Sequence, residues 1–309
     1  MSERAWGLKL THRARRQHLG YRDMFNGWIN ANAATSKAAA MALLRKNGVV
    51  GRRPVLRRLR KPLTLGYFAY YLATEAAADR WRPTDVVEAD MLGFKLRLYP
   101  SEFLDCAMLR IPHDLDYVEV QYLAEHLKPG DVFLDIGSYV GFYSRFVARA
   151  VGPAGTVIAV EAAPETYKRM AETMAANGLT QVRPLNLAVS DEAGTVKFAV
   201  RPFPWRGSST LWEKSTEGVD ITCKPLLDIL REQGITAVAG MKLDIERYEY
   251  PVLTKFFQAA PDTLWPRFVI TEQLTVAADR AGGDAIDLLR QQGYRVAATN
   301  QANFIMERG

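Results

Sequence analysis

A chain of 309 residues with 48% hydrophobic side chains can bury a full core, as one large domain or as a domain with an extension. Cys106 and Cys223 lie far apart and show no metal-ligand spacing, so they read as reduced thiols of a cytoplasmic protein. No apolar stretch of secretory-leader type follows the first basic residues, and the longest apolar run, over 65–73, is too short to span a bilayer.

Charge divides the chain in two. Up to Lys61 there are 15 Lys or Arg against Glu3 and Asp23, giving +13; with the whole chain at +6, the remainder carries −7. The first 85 residues therefore form a basic extension, expected to be mostly helical. An Ala-rich stretch over 32–44 is helix-prone. Gly48, Gly51 and Pro54 break it, and six basic residues then fall between Arg52 and Lys61. Pro62 opens a second helix, running to about Trp81 and aromatic on more than one side. It suits packing, a dimer contact or a membrane surface. Pro83 closes the extension.

The body, 86–309, begins with a hairpin around Leu92-Gly93. A helix over 117–127 feeds a short apolar run, Val132-Phe133-Leu134 with Ile136, the length of a buried strand. This run starts the stretch D-V-F-L-D-I-G-S-Y-V-G-F-Y (131–143), which reads strand, glycine turn, helix. A ligand lies over such a turn at the carboxyl end of the strand. A nicotinamide fingerprint, G-x-G-x-x-G, brings backbone N–H groups against a pyrophosphate. Here the pattern is D-x-G-x-x-x-G, with Asp135, Gly137, Ser138, Tyr139 and Gly141. A carboxylate before the first glycine repels a pyrophosphate and suits an ammonium or sulfonium, which points to S-adenosylmethionine (SAM). The second strand, 156–160, ends at Glu161, twenty residues past Gly141, placed to accept hydrogen bonds from ribose hydroxyls.

Further elements follow in alternation. A helix from Pro164 ends at Asn177-Gly178. A third strand over 182–188 carries Asn186, Leu187 and Ala188 at its tip, and a strand over 195–200 follows. The loop over 201–212 is rich in Pro, Trp and Ser; it suits either a substrate cover or a hairpin connection. A helix over 226–233, a strand over 237–243 ending at Asp244, a strand over 268–270 before Glu272, a helix over 285–292 and a terminal antiparallel hairpin complete the chain. Strands alternating with helices predict an α/β fold with a mainly parallel sheet.

These stretches resemble the FkbM family of SAM-dependent methyltransferases. The resemblance is carried by PGDVFLDIGSYVG from Pro129, VEAAPETYKRMAETMAANGL from Val160, NLAVSDEAGTVKF from Asn186, Leu226-Leu227-Asp228, and MKLDIERYEYPVL from Met241. It spans about Met91 to the C-terminus, with the SAM-binding core from about 129. It implies a Rossmann-like class I methyltransferase fold, with Asn186 and Ala188 at the adenine side, and methyl transfer to a hydroxyl of a sugar, glycan or natural product. Two positions depart from the family pattern. The usual Ala-Asn after the first glycine is Ser138-Tyr139, and the glycine after the last motif's glutamate is Arg247.

A hydroxyl nucleophile is weakly acidic and gains from a general base. Asp244, Glu246 and Glu249 crowd one strand tip and are the candidate catalytic carboxylates, with Glu272 at the next tip. A structural network neutralising Lys242, Arg247 and Lys255 is the alternative for the same residues. His113 and His126 are further candidate bases, but His126 falls in the last turn of its helix, where it complements the dipole. No metal site is expected. Two other functions compete: a methyltransferase acting on RNA or another polyanion, and a SAM-fold binding protein without activity. Nucleic acid is the weaker partner, because no stacking aromatics interleave the arginine cluster.

The charge asymmetry predicts peripheral docking of 52–81 on an anionic membrane, at about 1 kcal/mol per basic residue near the surface. Sedimentation with vesicles should show binding to anionic but not neutral lipid, lost at high salt and lost on deleting residues 1–61. Equal recovery in the supernatant with both vesicle types ends the idea.

Overall fold

The computed structural model describes Thr74, 77–78, 80–110, 116–198, 218–272, 282–300 and 303–309. The chain divides into two units, Met1–Phe94 with Leu98–Leu115 and Lys95–Arg97 with Asp116–Gly309. The expected helix over 32–44, the arginine cluster, most of the helix from Pro62, His113 and the loop over 201–212 lie outside the described residues. Thr74, Ala77 and Ala78 are helical.

β1 (Val87–Met91) and β2 (Phe94–Leu98) form a hairpin around Leu92 and Gly93, both at positive φ. Phe94, Leu96 and Leu98 point inward and Lys95 and Arg97 outward, the period-2 alternation of a half-buried strand. A helix that the sequence reading missed, α1 (Phe103–Arg110), follows, and Asp105 accepts a 2.7 Å hydrogen bond from the Tyr99 N–H.

The second unit is built on a seven-stranded sheet. Its strands in chain order are β3 (Val132–Ile136), β4 (Thr156–Val160), β5 (Val182–Leu185), β9 (Gly240–Leu243), β10 (Phe268–Glu272), β11 (Tyr294–Asn300) and β12 (Asn303–Arg308). The spatial order is β11-β12-β10-β9-β3-β4-β5. The five strands from β10 to β5 run parallel, and β12 is antiparallel to both β10 and β11. This is the mainly parallel sheet with a terminal antiparallel hairpin that the alternation predicts.

Continuous apolar runs make sense in parallel strands covered on both faces. Phe133, Leu134, Ile136, Val157, Ile158, Met241, Leu243, Val269 and Ile270 are fully buried. The covering helices are α2 (Tyr117–His126), α3 (Phe142–Val151), α4 (Pro164–Ala176), α5 (Leu226–Glu232), α6 (Glu249–Ala259) and α7 (Ala285–Gln291). Proline in the first turn starts α4, and Gly178 at positive φ follows its end. No helix among the described residues is long and apolar enough to cross a membrane.

The third strand differs from its expected bounds. It stops at Leu185, and Ala188 belongs to another sheet, β6-β8-β7, made of β6 (Ala188–Ser190), β7 (Gly194–Phe198) and β8 (Val219–Pro225). Ala188 pairs with Cys223 there. The cause lies at Asn186, whose side-chain amide donates to the carbonyls of Glu161 and Ala162 at 2.9 and 3.0 Å and turns the chain out of the sheet.

Candidate functional site

The carboxyl edge of the parallel strands gathers the predicted residues. After β3 the chain turns through Gly137 (φ 75°), Tyr139 (φ 50°) and Gly141 (φ 77°) into α3. A Cβ on Gly137 would sit 1.8 Å from the Asp244 carbonyl oxygen, so glycine is required here by the neighbouring strand as well as by the turn. Ser138 faces inward: its hydroxyl lies 3.1 Å from the Val160 carbonyl and 3.0 Å from the Met170 sulfur.

Glu161 ties the turn to the tip of β4. One of its oxygens accepts the Tyr139 N–H at 2.9 Å and the other the Ala163 N–H at 2.8 Å. Each oxygen keeps lone-pair capacity for a further donor, which is what a ribose diol offers. Burial pushes the carboxyl up to about 7, against the pull of the two N–H groups.

Behind the turn lies a buried charge network. Asp135 is fully buried; one oxygen accepts from the Ser144 hydroxyl at 2.5 Å and the other has no hydrogen-bond partner. Burial raises its pKa, with Lys242 opposing. Lys242 donates to Asp244 at 2.8 Å and lies 5.0 Å from the centre of the Tyr143 ring. Burial alone would lower the lysine, but Asp244 and Asp135 outweigh it and hold it charged. Tyr143 donates in turn to Asp116 at 2.9 Å, and burial together with Glu119 raises Asp116 to about 6.

The three carboxylates predicted as catalytic sit differently from one another. Asp244 is paired with Lys242. Glu249, the first residue of α6, reaches back to accept the N–H groups of Ile245 at 2.9 Å and Arg247 at 3.3 Å, so it shapes the loop before its own helix. Glu246 and Arg247 lie within that loop at φ 54° and 87°. Glu272 ends the neighbouring strand, and burial, then Asp244 and Glu249, raise it to about 7. His126 stacks on Tyr122 with ring centres 3.8 Å apart and bonds through Nδ1 to the Tyr122 carbonyl, the structural arrangement its helix-end position suggested. The pairing of Asp116 with Tyr143 escaped the sequence reading: Tyr143 closes the 131–143 stretch, but Asp116 lies outside any strand-tip motif and only the packing of α2 and α3 brings the two together.

These residues fit the cofactor the sequence implied. The unpartnered Asp135 oxygen and the surrounding carboxylates suit a cationic amino-acid end, and the open lone pairs of Glu161 suit a diol.

A family model described as the methyltransferase FkbM domain matches residues 135–296. A curated relative, the 31-O-demethyl-FK506 methyltransferase FkbM of Streptomyces tacrolimicus, is 28% identical over 210 residues, covering 58% of this chain and 78% of that protein. Among solved structures, a SAM-dependent methyltransferase from Aquifex aeolicus matches with a TM-score of 0.35 and 15% identity, over 60% of this chain and 87% of that one. An O-methyltransferase from Bacillus cereus in complex with SAH matches with a TM-score of 0.38 and 14% identity, over 63% and 81%. At these scores the fold assignment rests on the strand order.

Arg247 occupies a backbone conformation that favours glycine. Arg247→Gly should raise the unfolding free energy by about 0.5–1 kcal/mol, the relief of a left-handed residue less the added freedom of the unfolded chain. Urea titration with an unchanged slope measures this; a loss of stability would show that the arginine side chain contributes more than its backbone costs.

A second prediction concerns pH. Asp116, Glu161 and Glu272 hold their protons to about 6, 7 and 7 in the fold, against about 4 in the unfolded chain. Their contribution is complete below the unfolded values and is lost as pH rises through the folded ones. The melting temperature of the ligand-free protein should therefore fall between about pH 5 and 7.5. A steady climb across that window, measured by scanning fluorimetry at constant ionic strength, would overturn the assignment.

Proposed function

The chain belongs to the FkbM-domain methyltransferase family, and from that premise we propose that it moves the methyl group of SAM to a hydroxyl oxygen of a sugar, glycan or natural-product acceptor. The observation that carries this reading is the adjacency, along one sheet edge, of the Glu161-braced glycine turn and the carboxylates of β9 and β10. The curated relative, whose printed name is that of a methyltransferase acting on 31-O-demethyl-FK506, supports the choice of oxygen.

SAM supplies a methyl group that is already activated, so the protein has mainly to align the nucleophile and take its proton. Glu161 holds the diol, and Asp135 faces the cationic end. Asp244 and Glu249 act as positioning residues, the first by fixing Lys242 and the second by fixing the loop through Arg247.

Two measurements test this. Glu161→Ala should weaken SAM binding by about 1.5–3 kcal/mol, the range for hydrogen bonds to a charged group; unchanged affinity in calorimetry removes Glu161 from the site. Methyl-labelled SAM should pass label to methyl hexosides or to 31-O-demethyl-FK506 as an alkali-stable ether. Label appearing only in RNA would replace this reading with the polyanion one, and no transfer to any acceptor would leave a binding protein.

A further inference from the structure

We infer that Glu272 is the residue that takes the proton from the acceptor hydroxyl, a role that rests on the O-methyl transfer reading above.

The sequence F-V-I-T-E places Glu272 as the first charged residue after a buried run. Register fixes where it emerges. Thr271 pairs with Leu243 across the parallel β9–β10 ladder, so Glu272 comes level with Asp244 at the carboxyl edge, where ligands of such sheets lie. On its other side it pairs with Asn303 of β12, whose side-chain amide is already given to Glu119 at 2.8 Å.

The neighbouring acids are committed. Asp135 accepts from Ser144, Asp244 from Lys242, Asp116 from Tyr143, Glu249 from two loop N–H groups, Glu119 from Asn300 and Asn303, and Glu161 from Tyr139 and Ala163. The Glu272 carboxylate has no hydrogen bond and no ion pair among the described residues. A partly buried carboxylate with no partner is a costly thing to keep. It is also the form a general base needs, since a hydrogen bond already accepted would lower its affinity for the proton.

The charges facing it come from several elements. Asp244 on the tip of β9, Glu249 on α6 and Asp116 before α2 raise its proton affinity on top of burial, while Lys242 on β9 lowers it. The balance near 7 matches a base working at neutral pH.

The step balances. An oxygen–carbon bond forms to the methyl group, and the carbon–sulfur bond breaks with its electron pair left on sulfur. The hydroxyl proton passes to the Glu272 carboxylate and leaves later to solvent.

The experiment uses the full chain with methyl-labelled SAM and the methyl hexosides or 31-O-demethyl-FK506. For the wild type, kcat/KM should rise with pH to a plateau, with an apparent pKa near 7. Glu272→Gln should lose about 10²-fold or more in kcat and lose that acid limb, with SAM affinity within about threefold of wild type. Glu272→Asp should keep part of the rate and retain a limb. Carbon-13 NMR of labelled glutamate in the wild-type SAM complex gives a readout that needs no acceptor: Glu161 and Glu272 both lie near 7 in the ligand-free fold, and the resonance assigned to Glu272, the one lost in Glu272→Gln, should titrate near 7. Wild-type transfer with Glu272→Gln equally active, the limb lost in Glu246→Gln instead, or Glu272 titrating in the ordinary glutamate range would each overturn the inference. Failure of the wild type to methylate any hydroxyl is a different result, and it sinks the function reading itself.

Discussion

One buried ammonium holds this site together. Lys242 sits inside the sheet edge with Asp244 at 2.8 Å, and the fully buried Asp135 and the Asp116–Tyr143 pair lie around it. Taking several carboxylates out of water at one point is prohibitive unless a cation shares the space. With Lys242 present, Asp135 can stay at the base of the glycine turn and Asp244 can cap β9. Removing the lysine would leave both acids to protonate or to open the edge to water.

Backbone strain gathers at the same place. Among the described non-glycine residues at positive φ, Asp116, Tyr139, Glu246 and Arg247 lie around this edge, and Leu92 sits in the β1–β2 hairpin. Such conformations persist where the surroundings over-determine them. Here the braces are visible: Glu161 holds the Tyr139 N–H, Tyr143 holds the Asp116 side chain, and Glu249 holds the Arg247 N–H. Both departures from the family pattern include a strained position, Tyr139 in place of asparagine and Arg247 in place of glycine. The carboxylates therefore set the backbone of this site as well as its charge.

How much of this was legible in sequence follows from the range of each interaction. The parallel strands were legible because continuous apolar runs mean burial on both faces, and the acid at the tip of β4 was legible because its spacing from the turn is local. Of the β6-β8-β7 sheet, β7 was read as the strand over 195–200, but β8 was not, although Val219, Ile221 and Cys223 alternate with polar residues as a half-buried strand should. The third strand ran too long because nothing in V-R-P-L-N-L-A announces that Asn186 will bond back to the carbonyls of 161–162. At the site, composition marked out the carboxylate cluster but could not divide the labour within it. Glu249 faces its own loop through a contact of four residues, whereas Asp116 meets Tyr143 and Glu272 comes level with Asp244 only through tertiary packing.

The charge balance of the reaction then explains why an unpartnered acid belongs beside a neutralised network. Before transfer, the sulfonium of SAM brings a positive charge to an edge where Lys242 is already matched by Asp244 and Asp135. Among the described residues, the carboxylate left without a hydrogen-bond partner to take up a proton at this edge is that of Glu272. Transfer removes the positive charge from sulfur, and a proton arriving on Glu272 removes the negative one. Two opposite charges vanish together in a partly dehydrated space, where an isolated charge of either sign is costly. An acid paired with a lysine is poorly suited to this, because protonating it would leave the lysine's charge unmatched in the same space. The division between committed and uncommitted carboxylates is thus a requirement of the chemistry: the first group fixes the geometry, and the second stays free to change its charge.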